Sequence, residues 1–129
     1  MARSKLPEDV ERQLNEYKTV VLTQKDKLVR VLGTHQFLMQ KRRGLVQARK
    51  LDAEKRAEWN RLAAEWRATK KRVLDEATAA HAPHYRLILP VVGTLTGTVQ
   101  YIFLRQLQTI NGYYTDADAK LRASELVDL

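Results

Sequence analysis

The chain has 129 residues, a hydrophobic fraction of 44%, 29% charged residues and a net charge of +8. That length predicts one domain with a modest core, and the composition is not that of a disordered chain. Only five glycines and three prolines occur, which argues against an all-β protein with many tight turns, and no cysteine occurs. Disulfide scaffolds, thiolate zinc sites, iron–sulfur clusters and cysteine nucleophiles are thereby excluded, and a reducing compartment fits. A basic balance of this size calls for an anionic partner, either nucleic acid or the acidic face of a membrane. The opening MARSKLPEDVERQL has no apolar signal core and too many acids for a transit peptide.

The charge is unevenly spread. Residues 1–38 hold seven Lys/Arg against five Asp/Glu, residues 73–129 four against six, and residues 39–72 twelve against four. The whole net charge therefore lies in the middle third. A run of this kind is often just a solvated helix face, but its concentration points to a binding surface.

In chain order, Pro7 suits the first helical position, with Ser4 upstream and Glu8 and Asp9 at the positive end of the helix dipole. Leu14, Tyr17, Val21, Leu28, Val31, Leu38 and Leu45 then recur in steps of three and four, with Gln24, His35 and Arg42 at the remaining seam positions. This heptad-like stripe predicts a long helix over 7–50, interrupted by Gly33 and Gly44 as candidate bends. Asp52 is placed to cap a second helix, 52–82, whose stripe is Trp59, Leu62, Trp66, Val73, Ala77 and Ala80. Pro83 is expected to end or kink it. A third helix is expected over 84–111, stopped at Asn111-Gly112, and a fourth over 116–127, capped by Thr115. The expectation is a single all-α domain, 1–129, a bundle of long amphipathic helices with coiled-coil-like packing that forms a homodimer.

Residues 87–104 form an uncharged, mostly apolar run that includes Gly93-x-x-x-Gly97. Two readings fit: a helix buried in the bundle with glycines at a close helix contact, or a membrane span. Pro90, three threonines and Gln100 favour the first. Trp59 and Trp66, seven apart among basic residues, read as core, with an interfacial anchor or a base-stacking platform as alternatives. His35 reads as an interior histidine. His81 and His84 lack the partners a metal site needs, and Asp116 and Asp118 read as helix-start acids rather than an acid/base pair. Catalytic and phosphate-binding motifs are absent, so the reading is non-enzymatic, with no metal and no cofactor.

The stretch 38–114 resembles part of a BAR domain. Leu38-Met39-Gln40-Lys41-Arg42-Arg43-Gly44-Leu45-Val46 is similar to the Lys-Arg end of a long helix in that family, followed by a basic tip at 49–61. An Ala/Glu/Lys-rich helix (59–80), a proline (Pro83) and the apolar Val99-Gln100-Tyr101-Ile102-Phe103 follow in the same order. The Asp-Tyr usual after the Lys-Arg pair is missing, Gln47-Ala48 standing nearby, and the chain is shorter than a full BAR domain. The resemblance implies a homodimeric helical adaptor, cytoplasmic and peripheral at membranes, that binds or shapes anionic bilayers. Charge and resemblance together nominate Lys41, Arg42, Arg43, Arg49, Lys50, Lys55 and Arg56 as lipid contacts, with Lys70, Lys71 and Arg72 further along. The alternatives are a scaffold that binds an acidic protein partner and, third, a nucleic-acid-binding helical protein.

Overall fold

The computed structural model describes residues 5–49 and 51–129, so the nominated Lys50 and the upstream Ser4 lie outside the described residues. The chain forms an all-α bundle of three long helices: α1 (Glu8–Gln47), α2 (Ala53–Ile88) and α3 (Gly97–Ala123), with a 3-10 segment, Leu89–Thr94, between the last two.

Helix α1 begins as expected, with Pro7 one position earlier, at the N-cap, and Glu8, Asp9 and Glu11 in the first turn. It runs without interruption through Gly33 and Gly44, where no neighbouring atom crowds the missing side chain. The predicted seam is the buried face as far as Leu38: Leu14, Tyr17, Val21, Gln24, Leu28, Val31 and Leu38 are buried, Val10 extends it, and His35, Arg42 and Leu45 are half-buried. The helix ends where Arg49 turns into the left-handed region at φ 51°, a conformation glycine or asparagine adopts more cheaply. Asp52 then caps α2 by accepting from the Lys55 N–H at 2.8 Å.

The boundaries after residue 80 differ from the sequence reading. Pro83 lies inside α2 and does not end it. Pro83 and Ala79, whose carbonyl loses its usual donor, both sit on the exposed face, where the lost bond is cheapest. The chain breaks instead at the 3-10 segment containing Pro90, and the expected helix 84–111 is divided there. Gln100 Nε2 donates to the Val92 carbonyl at 3.0 Å and ties the break to α3. Gly97 adopts φ 59° at the start of α3, and neither it nor Gly93 has an atom within 4 Å of a Cβ placed there. Gly97 therefore serves the chain turn, and neither glycine makes the expected close helix contact within the bundle. No helix among the described residues is long and apolar enough to cross a membrane.

Asn111-Gly112 does not stop α3, and Thr115 caps nothing. Its hydroxyl bonds back to the Gly112 carbonyl at 3.4 Å within the helix. The buried stripe Phe103, Leu107, Ile110, Tyr114, Ala117 and Leu121 carries the helix across the weak dipeptide. Asp116 and Asp118 pair with Lys120 and Arg122 at i,i+4. The expected fourth helix is instead the end of α3 followed by an extended segment from Ser124.

Contacts fix the register. Val31 meets Trp66 and Lys41 meets Glu58, so α1 and α2 are antiparallel. Tyr17 meets Asn111, Lys25 meets Tyr113 and His35 meets Glu125, so α3 runs parallel to α1. The core lies along α1, which packs on both partners.

Candidate functional site

The register gives the bundle two unlike ends. Helix α3 stops beside residue 33 or so of α1, and the segment after it ends level with Trp59 and Asn60 of α2. Beyond that level only α1 and α2 continue, as a two-helix tip about 10 Å long at 1.5 Å rise per residue. Lys41, Arg42, Arg43, Arg49, Lys55 and Arg56 all belong to it.

The environments of these six cations differ. Lys41 pairs with Glu58 across the hairpin at 3.4 Å. Arg42 occupies a seam position, and its Nε is buried without a hydrogen-bond partner. Arg43, Arg49 and Arg56 are exposed, Lys55 is half-buried, and none of these four makes an ion pair among the described residues. The acids at the same end are Asp52, held by its cap, Glu54, and Glu58. Val46, 49% exposed, adds an apolar patch beside the arginines, and a shallow hollow lies among Met39, Arg42, Arg43, Val46 and Gln47.

Lys70, Lys71 and Arg72 are not brought to the tip. Fourteen helical residues separate Lys70 from Arg56, about 20 Å. The Lys70 ammonium donates to the carbonyls of Arg122 (3.1 Å) and Ser124 (2.6 Å), which satisfies the open end of α3. Arg72 pairs with Glu76 within α2, and Lys71 is exposed.

Trp59 and Trp66 belong to the core. Both are buried, and their indole N–H groups donate to the carbonyls of Val127 (2.9 Å) and Val31 (3.0 Å). Neither is available as an interfacial anchor or a base-stacking platform. His35, read as interior, is half-buried, its ring tilted against Trp66 at 5.0 Å and bonded to the Glu125 carbonyl at 2.9 Å.

A second polar cluster, not foreseen in the sequence, joins all three helices at mid-height. The Tyr17 hydroxyl lies 2.7 Å from His81 Nε2 and donates to Asn111 Oδ1 at 3.1 Å. The His81 ring stacks on Tyr114 at 4.1 Å, and Tyr114 donates to Asp118 at 3.3 Å. Burial raises the Tyr17 and Tyr114 hydroxyls above the usual tyrosine range. Burial also lowers His81, against the opposing bond to Asn111 and the charge of Asp118. With its Nε2 taken by Tyr17 and its face by Tyr114, His81 acts as a structural junction. The heptad position of Tyr17 was visible in the sequence, but its partners are 64 and 94 residues away and carry no local signal.

The chain matches no protein-family model, no curated protein and no solved structure. The class established is accordingly that of the fold, a three-helix all-α bundle with one basic two-helix tip.

Proposed function

We propose that the protein is a non-enzymatic adaptor whose α1–α2 tip binds the anionic surface of a membrane. The observation that carries this reading is the convergence of Arg43, Arg49, Lys55 and Arg56, without ion-pair partners among the described residues, at the end of the bundle that α3 leaves uncovered. Six cations and three acids there leave a surplus of three among the described residues. At about 1 kcal/mol per net cation near an anionic leaflet, that is about 3 kcal/mol, or roughly two decades in partitioning. Val46 beside the arginines supplies an apolar contact of the kind interfacial segments use.

The BAR-domain resemblance adds a finer claim: a cytoplasmic homodimer, peripheral at membranes, that presents two tips at once and responds to curvature. Pairing two tips makes the second contact intramolecular and multiplies the affinity of one. Arg49 supports a functional tip on separate grounds, since a cation stands in a left-handed turn position that glycine or asparagine would fill with less strain.

The test is co-sedimentation with vesicles of graded anionic lipid content, with RNA as competitor in a parallel arm. Pelleting that rises with anionic lipid and survives excess RNA is expected. The R43E/R49E/R56E variant, altered only at exposed positions, is expected to lose pelleting at unchanged helicity. Unchanged pelleting of that variant refutes the proposal, and pelleting abolished by RNA reassigns the tip to nucleic acid.

A further inference from the structure

The segment after α3 is held in an unusual way. From Ser124 the backbone is extended, and successive carbonyls accept bonds from side chains of α1 and α2. Lys70 donates to Ser124 (2.6 Å), Arg67 to Leu126 (2.8 Å) and Trp59 to Val127 (2.9 Å), while His35 Nε2 lies 2.9 Å from the Glu125 carbonyl. Asn60 takes the Leu129 N–H on Oδ1 at 2.7 Å and donates to its carbonyl at 3.4 Å. Two side chains of the segment are read as well. Leu126 is 2% exposed, and Asp128 pairs with the second guanidinium nitrogen of Arg67 at 3.2 Å. Glu125, Val127 and Asp128 face outward, so Leu126 is the buried anchor and the half-buried Leu129 packs at the end of the segment.

Residue-by-residue capture of an extended backbone by fixed side-chain donors is how a peptide groove works. Here the donors lie along one face of α2, whose rigid helix sets their spacing. A hollow of about 480 Å³ runs alongside, lined by Trp66, Leu74 and Leu126, by the basic Arg67, Lys70, Lys71 and Arg122, and by Asp75 and the segment's own Glu125, so the helices contribute four cations against one acid. Leu126 and the partly buried Leu129 are its only apolar anchors, against six or more buried residues on each long helix, so the segment is the element expected to open before the helices do.

We infer that this face of α2 is a peptide-binding groove, that residues 124–129 occupy it as a built-in competitor, and that its external ligand is an extended acidic segment of another protein. That segment carries a leucine two residues before an acid, as Leu126 and Asp128 do. The basic rim selects the acid. The tethered segment acts at an effective concentration of about millimolar, so a loose second copy of it does not displace it, whereas a tighter external ligand does. The site lies on a different part of the bundle from the tip and stands independently of the membrane reading.

The chain's two tryptophans are both bonded beside the groove, so their emission reports its occupancy. The probe is the blocked hexapeptide Ser-Glu-Leu-Val-Asp-Leu, titrated into the full chain and into L126E, with Ser-Glu-Leu-Val-Lys-Leu as control. Wild type is expected not to respond below about 1 mM peptide. L126E is expected to keep its helicity, emit to the red, and return to the wild-type spectrum at peptide concentrations at least about tenfold lower, with the control peptide weaker. Equal response to both peptides, or no response by folded L126E, overturns the inference. So does dimerisation of L126E without a peptide response, which assigns the groove to exchange between copies. Should L126E lose helicity, L126A is titrated in its place with the same expected direction. Loss of helicity there too shows that the segment is not separable from the bundle and overturns the inference.

Discussion

Replacing Tyr17 by phenylalanine removes one oxygen from the junction of the three helices and leaves the ring. The hydroxyl sits on a residue 2% exposed and serves two partners, His81 Nε2 at 2.7 Å and Asn111 Oδ1 at 3.1 Å. Loss of one net hydrogen bond costs about 1 kcal/mol, and leaving a buried partner unsatisfied adds about 1–3 kcal/mol. His81 is half-buried and recruits water at part of that cost, so the expected destabilisation is about 1.5–3 kcal/mol. The apolar area buried by the ring is unchanged, so the denaturant slope should stay constant while the midpoint falls. Urea unfolding followed by far-UV circular dichroism measures both. A Y17F/N111A cycle then isolates the shared bond, with a coupling energy of at least about 0.5 kcal/mol expected. A Y17F chain within about 0.5 kcal/mol of wild type would refute the claim that this hydroxyl ties the helices together.

Other consequences follow from the same contacts. His81 is faced by Tyr17, Tyr114, Asn111, Asp118 and, from its own helix, Tyr85 and His84, and the net effect of burial is to lower its pKa in the fold. The unfolded chain therefore binds the proton more readily, so His81's contribution is intact above about pH 6.5 and is lost as pH falls below it. Urea midpoints from pH 8 to 5 should show that loss, and H81Q should reduce the slope. R49G relieves the left-handed turn and should raise stability by about 0.5–1 kcal/mol in thermal melts while weakening vesicle binding, since it also removes a tip cation. Lys70→Met keeps an unbranched apolar stem but leaves the Arg122 and Ser124 carbonyls and the Trp66 ring without their ammonium. It should cost about 1–2 kcal/mol and raise hydrogen exchange at the end of α3 before it does so elsewhere.

The long seam of α1 and the Asp52 cap were legible because both are local: periodicity sets the buried face, and one carboxylate three residues ahead of an N–H makes the cap. Pro83 and Asn111-Gly112 misled for one reason. Local propensity marks them as stops, but Pro83 lies on the exposed face and Asn111 is claimed by Tyr17, so tertiary packing outweighs the local cost. Glycines spaced four apart suggested a helix contact, whereas Gly97 is there for its positive φ. The basic tip was readable because its residues flank one turn. Lys70 looked identical to them in sequence, and only the fold reveals that the end of α3 holds its ammonium. The groove that holds residues 124–129 had no sequence signal, because its bonds go to backbone carbonyls and side-chain identity on the accepting segment is irrelevant to most of them.

The central claim is that position at the tip, rather than net charge, governs binding to an anionic surface. Two triple variants with equal charge loss separate these. R43A/R49A/R56A neutralises exposed cations at the tip, and R12A/K18A/R86A does so near the opposite end. With vesicles rich in anionic lipid, the account predicts that the tip variant binds at least about tenfold more weakly than wild type, while the other stays within about threefold. Equal weakening of the two variants would contradict it.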